Sequence, residues 1–540
     1  MKTRKVVIVG GGSSGWMTAA YLNAALSHNK RAKVEITLIE SPDIPRISVG
    51  EATVLSMRHL IATIGIDEVD FLKATDGSFK QAIKYVNWVE KDDSFYYHPF
   101  NRFTPKPLDL SSKLWLASDR TLSYTDTVTI QPHLCELGFA PKTLGEWNLG
   151  APFSYAYHMN AQKFADLLTN IAVSRGVEHI KANMTDVNLR EDGSIHSIET
   201  DQGHILTADL FIDCTGFRAK LIEEKLNVGF EDCSQWLLCN RAVTMHVPYD
   251  KFYPGYVRPY TTATALSNGW VWDIPMQNQR SIGYVHASDF ISEEEALKEL
   301  HAYQGEGCEE LPARTIHFKV GRRHQTWFKN CISIGLSGGF IEPLESTGLY
   351  LADLGAVMLA EHFPYSDEDM SVLSQRYNRI MSNQFYEVLD FINMHYCLTK
   401  RTDTEFWREV QKPERINDRL KAKLEFWKAK PPTSADFEDQ FFPGMSFQSI
   451  NESNTGGDNR PSIDTSGIWN NKNYEFILYS MGFENHFNHH WQGSIPAQTP
   501  PAIQRRFDMA RNSLAKHDEW LKKVVGMKEF SEAKKPVGWV

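Results

Sequence analysis

A glycine-rich turn close to the N-terminus limits the folds that this chain can adopt. Gly10, Gly12 and Gly15 form a GxGxxG pattern directly after the apolar run Lys5–Val9, which is typical of a short buried parallel strand. Helical composition follows the turn, and the next apolar run ends at Glu40. A strand, a glycine turn, a helix and a second strand with a terminal acid predict a βαβ unit that binds a dinucleotide.

Each glycine of this turn has a separate expected role. Gly10 permits the tight turn, Gly12 lets a pyrophosphate approach the backbone, and Gly15 lets the helix pack against the strand. The helix N-terminus supplies N–H donors, and the acid is placed to accept from a ribose hydroxyl. NAD and FAD fit such a unit equally well. The predicted contacts are Gly10, Gly12, Ser13, Ser14, Gly15 and Glu40.

A second informative segment is the hexapeptide at 270–275, which reads WVWDIP. Trp270 and Trp272 lie on one side of an extended segment because strand side chains alternate between faces. Pro275 then ends the hydrogen-bonded ladder. The segment predicts a wall of two indoles with no titratable group on the same side. Taken alone, core packing explains it equally well.

Together, the N-terminal GxGxxG and the WxWxIP hexapeptide resemble the flavin-dependent tryptophan halogenase family. The resemblance implies an α/β fold with α+β insertions. It implies a Rossmann-like FAD-binding domain of the flavin monooxygenase superfamily, an antiparallel sheet, and a mostly helical C-terminal substrate region. It also gives Trp270 and Trp272 a role as the wall of a tunnel between flavin and substrate.

Two later segments favour FAD over NAD. Asp213-Cys214-Thr215-Gly216 and Gly335 resemble the second and third flavin contacts of that superfamily. Flavin hydroxylases of this fold carry an aspartate after the glycine of the third segment, whereas Leu336 stands there in this chain. This difference favours halogenation over hydroxylation, which stays the alternative. The further flavin contacts that the resemblance implies are Ala52, Gly335 and Leu349.

The predicted cofactor domain is assembled from segments that are far apart in the sequence. We expect the FAD-binding core to comprise residues 1–100, 150–225 and 325–365. The substrate-binding region is expected to comprise residues 100–150, 225–325 and 366–540, with mostly helical structure after 366. The polar, turn-rich stretch at 451–467 predicts a mobile surface loop.

The block at 76–88, DGSFKQAIKYVNW, contains two candidate lysines. By residue type alone, Lys80 is expected at a solvated position, because lysine is rarely buried. The resemblance implies the opposite, since Lys80 matches the essential lysine of the halogenases. Lys84 is the nearest rival and is the better candidate for an ordinary surface charge.

A second block, FIEPLESTGLY at 340–350, resembles the family's halide and acid segment. Amides near Thr347 and Gly348 open a helix and predict an anion site for chloride or bromide. The resemblance makes Glu345 the acid that faces the lysine, as a base or an electrostatic partner. The alternative is a capping box at Ser346 with a solvated Glu345.

The resemblance also implies residues that hold the substrate. His98, Phe100 and Trp469 match residues that flank an indole ring in the family. Free-tryptophan halogenases carry a Tyr-Tyr pair and a glutamate before that tryptophan, whereas this chain has QFFPG at 440–444 and places Asp464 at the spacing of the glutamate. Ser48 also replaces a usual glycine. An indole or another arene without the amino-acid group is therefore an equal alternative to tryptophan.

The implied reaction is FADH2- and O2-dependent chlorination or bromination of an electron-rich aromatic. Hypohalous acid would reach Lys80, and Glu345 would help to remove the ring proton. A separate NAD(P)H-dependent flavin reductase supplies the reduced flavin in such systems, and a homodimer is one assembly that the resemblance allows. A cofactor-binding protein without chemistry is a third class, which retention of the lysine and the glutamate disfavours.

Composition excludes several other classes. The 540 residues carry a formal net charge of −10, which argues against a nucleic-acid or anionic-membrane surface. Seven cysteines include no CxxC pair and predict buried thiols with neither a disulfide framework nor a metal site. The N-terminus has neither a signal peptide nor a spanning segment, so we expect a cytoplasmic protein.

Overall fold

The computed structural model describes residues 3–27, 33–46, 49–100, 109–145, 148–252, 256–437, 468–486 and 496–530. The chain divides into two compact units of three segments each. Unit 1 comprises Met1–Gly77, Met159–Ser234 and Phe318–Phe385, and unit 2 comprises Ser78–His158, Gln235–His317 and Tyr386–Val540. Residues 78–100, which the sequence assigned to the cofactor core, fall in unit 2.

Unit 1 is built on a six-stranded sheet. In spatial order its strands are Trp327–Phe328, Cys331–Ser333, Leu210–Asp213, Arg4–Val9, Val34–Glu40 and Glu178–Lys181. All pairs are parallel except that of the short edge strand Trp327–Phe328. The helix Ser13–Leu26 connects the two strands that flank the glycine turn. The predicted βαβ unit and the α/β class are confirmed.

Smaller elements complete unit 1. One antiparallel sheet joins Met184–Leu189, Ile195–Thr200 and Ile205–Thr207, and another joins Phe230–Asp232, Gly321–Arg323 and Gly339–Phe340. A short strand spans Gly50–Ala52. The other helices are Ser56–Ile64, Glu68–Ala74, Ala161–Ser174 and Thr347–Glu361, with short turns at Gly216–Arg218, Lys220–Lys225, Gly335–Ser337 and Pro343–Glu345. The long helix Met370–Cys397 crosses the boundary between the units.

Unit 2 is built on a seven-stranded sheet. Its strands, in spatial order, are Ala313–His317, Arg241–Pro248, Gln279–His286, Gly269–Pro275, Thr261–Ala265, Ala82–Val86 and Phe95–Pro99. All pairs are antiparallel except that of Thr261–Ala265 with Ala82–Val86. We call Gly269–Pro275 the motif strand. It pairs as far as Pro275 opposite Arg280, so the proline ends the ladder as predicted.

A short strand carries the candidate lysine of unit 2. Ser78–Lys80, which we call the lysine strand, pairs antiparallel with the first residues of Ala156–Asn160. The backbone N–H of Phe79 donates to His517 Nε2 over 3.2 Å. Lys80 is therefore held outside the seven-stranded sheet by a strand of only three residues.

Helices account for much of the rest of unit 2. They are Ser111–Leu116, Tyr124–Val128, Gln131–Glu136, Glu293–Gln304, Glu405–Glu409, Asp418–Ala429, Asn471–Ser480, Pro501–Ser513 and His517–Trp520. The prediction of mostly helical structure after residue 366 is confirmed for the described part. No helix in the described ranges of either unit is long and apolar enough to cross a membrane.

Candidate active site

The glycine turn of unit 1 is tightly packed on one side and open on the other. Gly10 has a φ of +119°, and a Cβ there would lie 2.1 Å from the Cys214 carbonyl oxygen. A Cβ at Gly15 would lie 1.9 Å from the carbonyl oxygen of Gly10. Among the described residues, no atom lies within 4 Å of a Cβ placed at Gly12, which precedes a helix whose first turn holds no acid. Open backbone amides at a helix N-terminus fit a pyrophosphate.

Glu40 lies over the same turn. A Cβ at Gly11 would be 2.1 Å from the Glu40 carboxyl carbon, so a side chain at this fourth glycine would displace Glu40 from the turn, which the sequence did not indicate. Glu40 accepts from Arg46 Nε over 2.8 Å and lies 3.0 Å from His179 Nε2. Arg46 Nη2 and Trp16 Nε1 also lie 3.0 Å and 3.4 Å from this carboxylate, so four donors already face its four lone-pair positions. The contact with a ribose hydroxyl stays a prediction.

The third predicted flavin segment reaches the same helix. Gly335 has a φ of +77°, and a Cβ there would lie 2.3 Å from Ser14 Oγ. The Ser13 hydroxyl donates to the Ala161 carbonyl over 3.2 Å. The structure therefore brings Gly335 to the first turn of the glycine-loop helix. Ala52 and Leu349 are buried in the same unit, and their flavin contacts stay predictions.

The predicted halide segment forms the start of the helix Thr347–Glu361. Ser346 precedes it in a left-handed conformation, with a φ of +62°, and its side chain does not cap the helix. Glu345 is fully buried. The alternative of a capping box with a solvated Glu345 is therefore wrong.

Thr347 adds a second feature to this helix start. Its hydroxyl is buried, and within the described part of the chain it has no hydrogen-bond partner. The positive end of the helix dipole and an unmatched donor suit an anion at Thr347 and Gly348. A halide therefore fits the residues that are present.

The two candidate lysines have different surroundings in the structure. Lys80 is fully buried, and its Nζ lies 4.7 Å from the centroid of the Phe100 ring. Lys84 instead forms an ion pair with Glu136, with 2.6 Å between Nζ and Oε1. A solvated Lys80, which residue type alone predicted, is wrong. The reason is the short strand, which fixes Lys80 among buried side chains and places its ammonium over an aromatic face.

The predicted substrate residues meet through a phenylalanine that the sequence did not indicate. The Trp469 ring stacks on Phe391 with 4.1 Å between centroids and 14° between planes, and His98 lies 5.4 Å from Phe391. His98 Nε2 accepts from Asn473 Nδ2 over 2.9 Å. Phe391 belongs to a long helix with no local motif. The predictions at 440–444, Asp464, 451–467 and Ser48 lie outside the described residues.

The tryptophans of the motif strand share one face, as predicted. The ring centroids of Trp270 and Trp272 are 6.4 Å apart. Trp88 lies 6.5 Å from Trp270, and Trp407 lies 5.7 Å from Trp88. We call these four residues the indole array. It extends the predicted wall into a contiguous buried set of rings within unit 2.

The family model of the tryptophan halogenases matches residues 5–495 of the chain. This chain belongs to the tryptophan halogenase family. The tryptophan 6-halogenase ThaL of Streptomyces albogriseolus is 36% identical over 458 residues, which cover 81% of this chain and 84% of that protein. The tryptophan 7-halogenase RebH of Lentzea aerocolonigenes is 34% identical over 500 residues, which cover 89% and 90%.

A solved structure agrees with the sequence relatives. The tryptophan halogenase from Shewanella frigidimarina has a TM-score of 0.84 at 31% identity, covering 98% of this chain and 99% of that one. Flavin-dependent halogenation is therefore the reaction class of this chain, with a flavin and a halide as the reagents that the class requires. The hydroxylase alternative finds no support.

The halogenase motif strand has a charged second face. Asp273 points away from the tryptophans and is fully buried. Its Oδ2 lies 2.7 Å from Arg258 and 2.5 Å from Arg280. Burial acts to raise the pKa of Asp273, but the two guanidinium groups outweigh it and hold the pKa below its ordinary value. The sequence does not indicate this cluster, because only the fold brings Arg258 and Arg280 to Asp273.

The predicted halogenase residues fall into two groups. Unit 1 contains the predicted cofactor contacts, the halide residues and Glu345. Unit 2 contains Lys80, the motif tryptophans, and the substrate residues His98, Phe100 and Trp469. Each group is assembled from segments that are distant in the sequence.

Proposed function

We propose that this halogenase chlorinates or brominates tryptophan or another indole, with Lys80 and Glu345 as its catalytic residues. The observation that carries the proposal is the buried Lys80 ammonium above Phe100, in the unit that also holds the stacked pair Trp469 and Phe391. Stacked aromatic side chains suit a flat, electron-rich ring. A lysine kept from water suits the delivery of an electrophilic halogen.

Different residues of the chain have different roles in the proposed reaction. A separate NAD(P)H-dependent reductase supplies FADH2. Together with O2, the bound FADH2 would provide the oxidising equivalent that converts halide into hypohalous acid. Thr347 and the helix N-terminus hold the halide as an anion. Lys80 receives the hypohalous acid, through a hydrogen bond or as a haloamine. Glu345 accepts the proton that leaves the halogenated ring.

The substrate residues orient the arene for attack on the halogen. Trp469 and His98 offer an aromatic face and a polar edge, which is the chemistry that an indole presents. The motif tryptophans contribute no titratable group on their face, so they separate oxidant from arene without competing as acids or bases. This division of roles explains halogen transfer in place of oxygen transfer.

The test is an incubation with FAD, a flavin reductase, NADH, oxygen and bromide or chloride. The arenes are tryptophan, indole and indoles whose 3-substituent lacks the amino-acid group, and products are identified by mass spectrometry. Halogenated product is expected. Insertion of oxygen in its place would refute the proposal.

A matched pair of variants tests the lysine. Lys80→Ala is expected to give no detectable halogenated product, whereas Lys84→Ala, which removes a lysine four positions away that pairs with Glu136, is expected to keep the wild-type rate. Halogenation by Lys80→Ala at the rate of Lys84→Ala would contradict the assigned role.

A further inference from the structure

The face of the lysine strand that presents Lys80 also carries a buried polar chain. Ser78 lies opposite His158 in the antiparallel pair, and Lys80 lies opposite Ala156. Because side chains alternate in a strand, Ser78, Lys80, His158 and Ala156 share one face. All four residues are fully buried. The proposed halogenation uses the lysine and leaves the serine and the histidine without a role.

The directions of the hydrogen bonds in this chain follow from its first acceptor. Ser78 Oγ lies 2.5 Å from the carbonyl oxygen of Pro275, which can only accept. The single hydroxyl proton is therefore committed, and His158 Nδ1, at 3.0 Å, must donate to Ser78 Oγ. His158 Nε2 lies 2.9 Å from Thr261 Oγ1. In a neutral ring with its proton on Nδ1, Nε2 accepts from the threonine hydroxyl.

The surroundings keep this imidazole uncharged. Burial lowers the pKa of His158 well below its ordinary value, and the basic side chains of Lys80, His517 and Arg258 act in the same direction, against a smaller opposing effect of the Pro275 carbonyl. His517 is itself held neutral, because burial lowers its pKa to about 4. With one nitrogen protonated and the other accepting, the ring of His158 presents no open lone pair to an electrophile.

This hydrogen-bonded chain connects the lysine strand to the motif strand. Pro275 closes the motif strand and Thr261 opens the neighbouring strand of the seven-stranded sheet. The lysine strand has only three residues and lies outside that sheet. The side chain of Ser78 and the ring of His158 therefore tie the lysine strand to the sheet on the side where Lys80 lies.

We propose that Ser78 and His158 are positioning residues for Lys80, joined to the Pro275 carbonyl and to Thr261 in one hydrogen-bonded chain. This inference rests on the proposed function, because a fixed lysine matters only if Lys80 receives the halogen. These hydrogen bonds hold the Lys80 side chain at a defined place relative to the motif strand. A displacement of about 1 Å is enough to lower the rate of a positioned reaction by about 100-fold.

The test compares Ser78→Ala, His158→Leu, His158→Asn and the double variant Ser78→Ala/His158→Leu. The side-chain amide of asparagine can replace Nδ1–H as the donor to Ser78, whereas leucine cannot. The measured quantity is the ratio of halogenated arene to hypohalous acid that escapes, which an added thioether traps as its sulfoxide. Loss of folded enzyme lowers both quantities together and leaves this ratio unchanged.

The expected result is a ratio that falls by about 10- to 100-fold in Ser78→Ala and in His158→Leu. His158→Asn is expected to recover most of the wild-type ratio. The double variant should be no worse than either single variant, because both substitutions break the same chain. An unchanged ratio in Ser78→Ala and His158→Leu would overturn the inference, whatever the total rate.

A spectroscopic measurement is independent of halogenation. In protein labelled with 15N-histidine, with His158→Asn used for assignment, the nitrogen shifts of His158 are expected to report a neutral ring with the proton on Nδ1. A proton on Nε2 would overturn the inference even in an active enzyme. A wild-type chain that halogenates no arene but gives the expected shifts would refute the proposed function and leave the hydrogen-bonded chain established.

Discussion

Replacement of Asp273 by asparagine removes the carboxylate that faces two buried guanidinium groups. Asp273 and Arg280 are fully buried, and Arg258 is nearly so. The carboxylate lies 2.7 Å from Arg258 and 2.5 Å from Arg280. The substituted amide keeps the shape but not the charge. Removal of one partner of a buried ion pair costs about 3–5 kcal/mol, because the remaining charge stays desolvated without compensation. We expect Asp273→Asn to lose stability in that range.

The assay is guanidinium chloride unfolding followed by tryptophan fluorescence, which reports on the buried indoles of both units, including Trp16 and Trp327 of unit 1. Glu294→Gln is the matched control, since Glu294 pairs with Lys298 over 2.7 Å on the exposed surface of the same unit; no measurable change in the midpoint is expected there. Asp273→Asn/Arg280→Met should recover part of the loss, because it also removes one unpaired charge. A loss below about 1 kcal/mol in Asp273→Asn would refute the reasoning.

Three further outcomes are expected. Gly283→Ala places a Cβ 2.2 Å from the Trp272 ring, so it should lower stability by about 1–3 kcal/mol and alter the near-ultraviolet circular dichroism; an unchanged melting temperature would show that the ring can move. Burial lowers the pKa of His517 to about 4, below the value of about 6.5 expected in the unfolded chain. The contribution of His517 to stability is therefore complete above pH ~6.5 and is lost as the pH falls towards ~4. His517→Gln should flatten that part of a plot of unfolding midpoint against pH, and an unaltered slope would contradict the assignment. Thr347→Val should raise the KM for halide by about 10- to 150-fold, since a hydrogen bond to a charged group is worth about 1.5–3 kcal/mol, with flavin affinity unchanged. Equal halide saturation curves for variant and wild type would count against the anion site.

The sequence predicted those features of the fold that depend on local pattern. The glycine turn, the strands on each side of it and the helix at Thr347 all follow from residues adjacent in the chain, and the structure has them within a few residues of the predicted bounds. The alternation that places Trp270 and Trp272 on one face is also local. Such features need no knowledge of what packs against them.

Contacts between distant segments could not be predicted in the same way. Burial of Lys80 depends on the pairing of Ser78–Lys80 with a strand about 80 residues away. Phe391 reaches Trp469 from the interior of a long helix, and Gly11 is constrained only because Glu40 folds over it. In each case the residue type is common, and its role depends on a neighbour that only the fold brings close. The sequence alone therefore does not predict these contacts.

The indole array also gives the chain an optical property. Trp272, Trp270, Trp88 and Trp407 are linked by ring separations of 5.7–6.5 Å. At these separations we expect the transition dipoles of neighbouring indoles to couple, which would split their bands in the circular dichroism spectrum. A change in the tilt of a single indole should then alter the sign or splitting of a collective band. The difference between the spectra of the wild type and Trp272→Phe would then follow the state of the family motif in solution, without substrate or added dye.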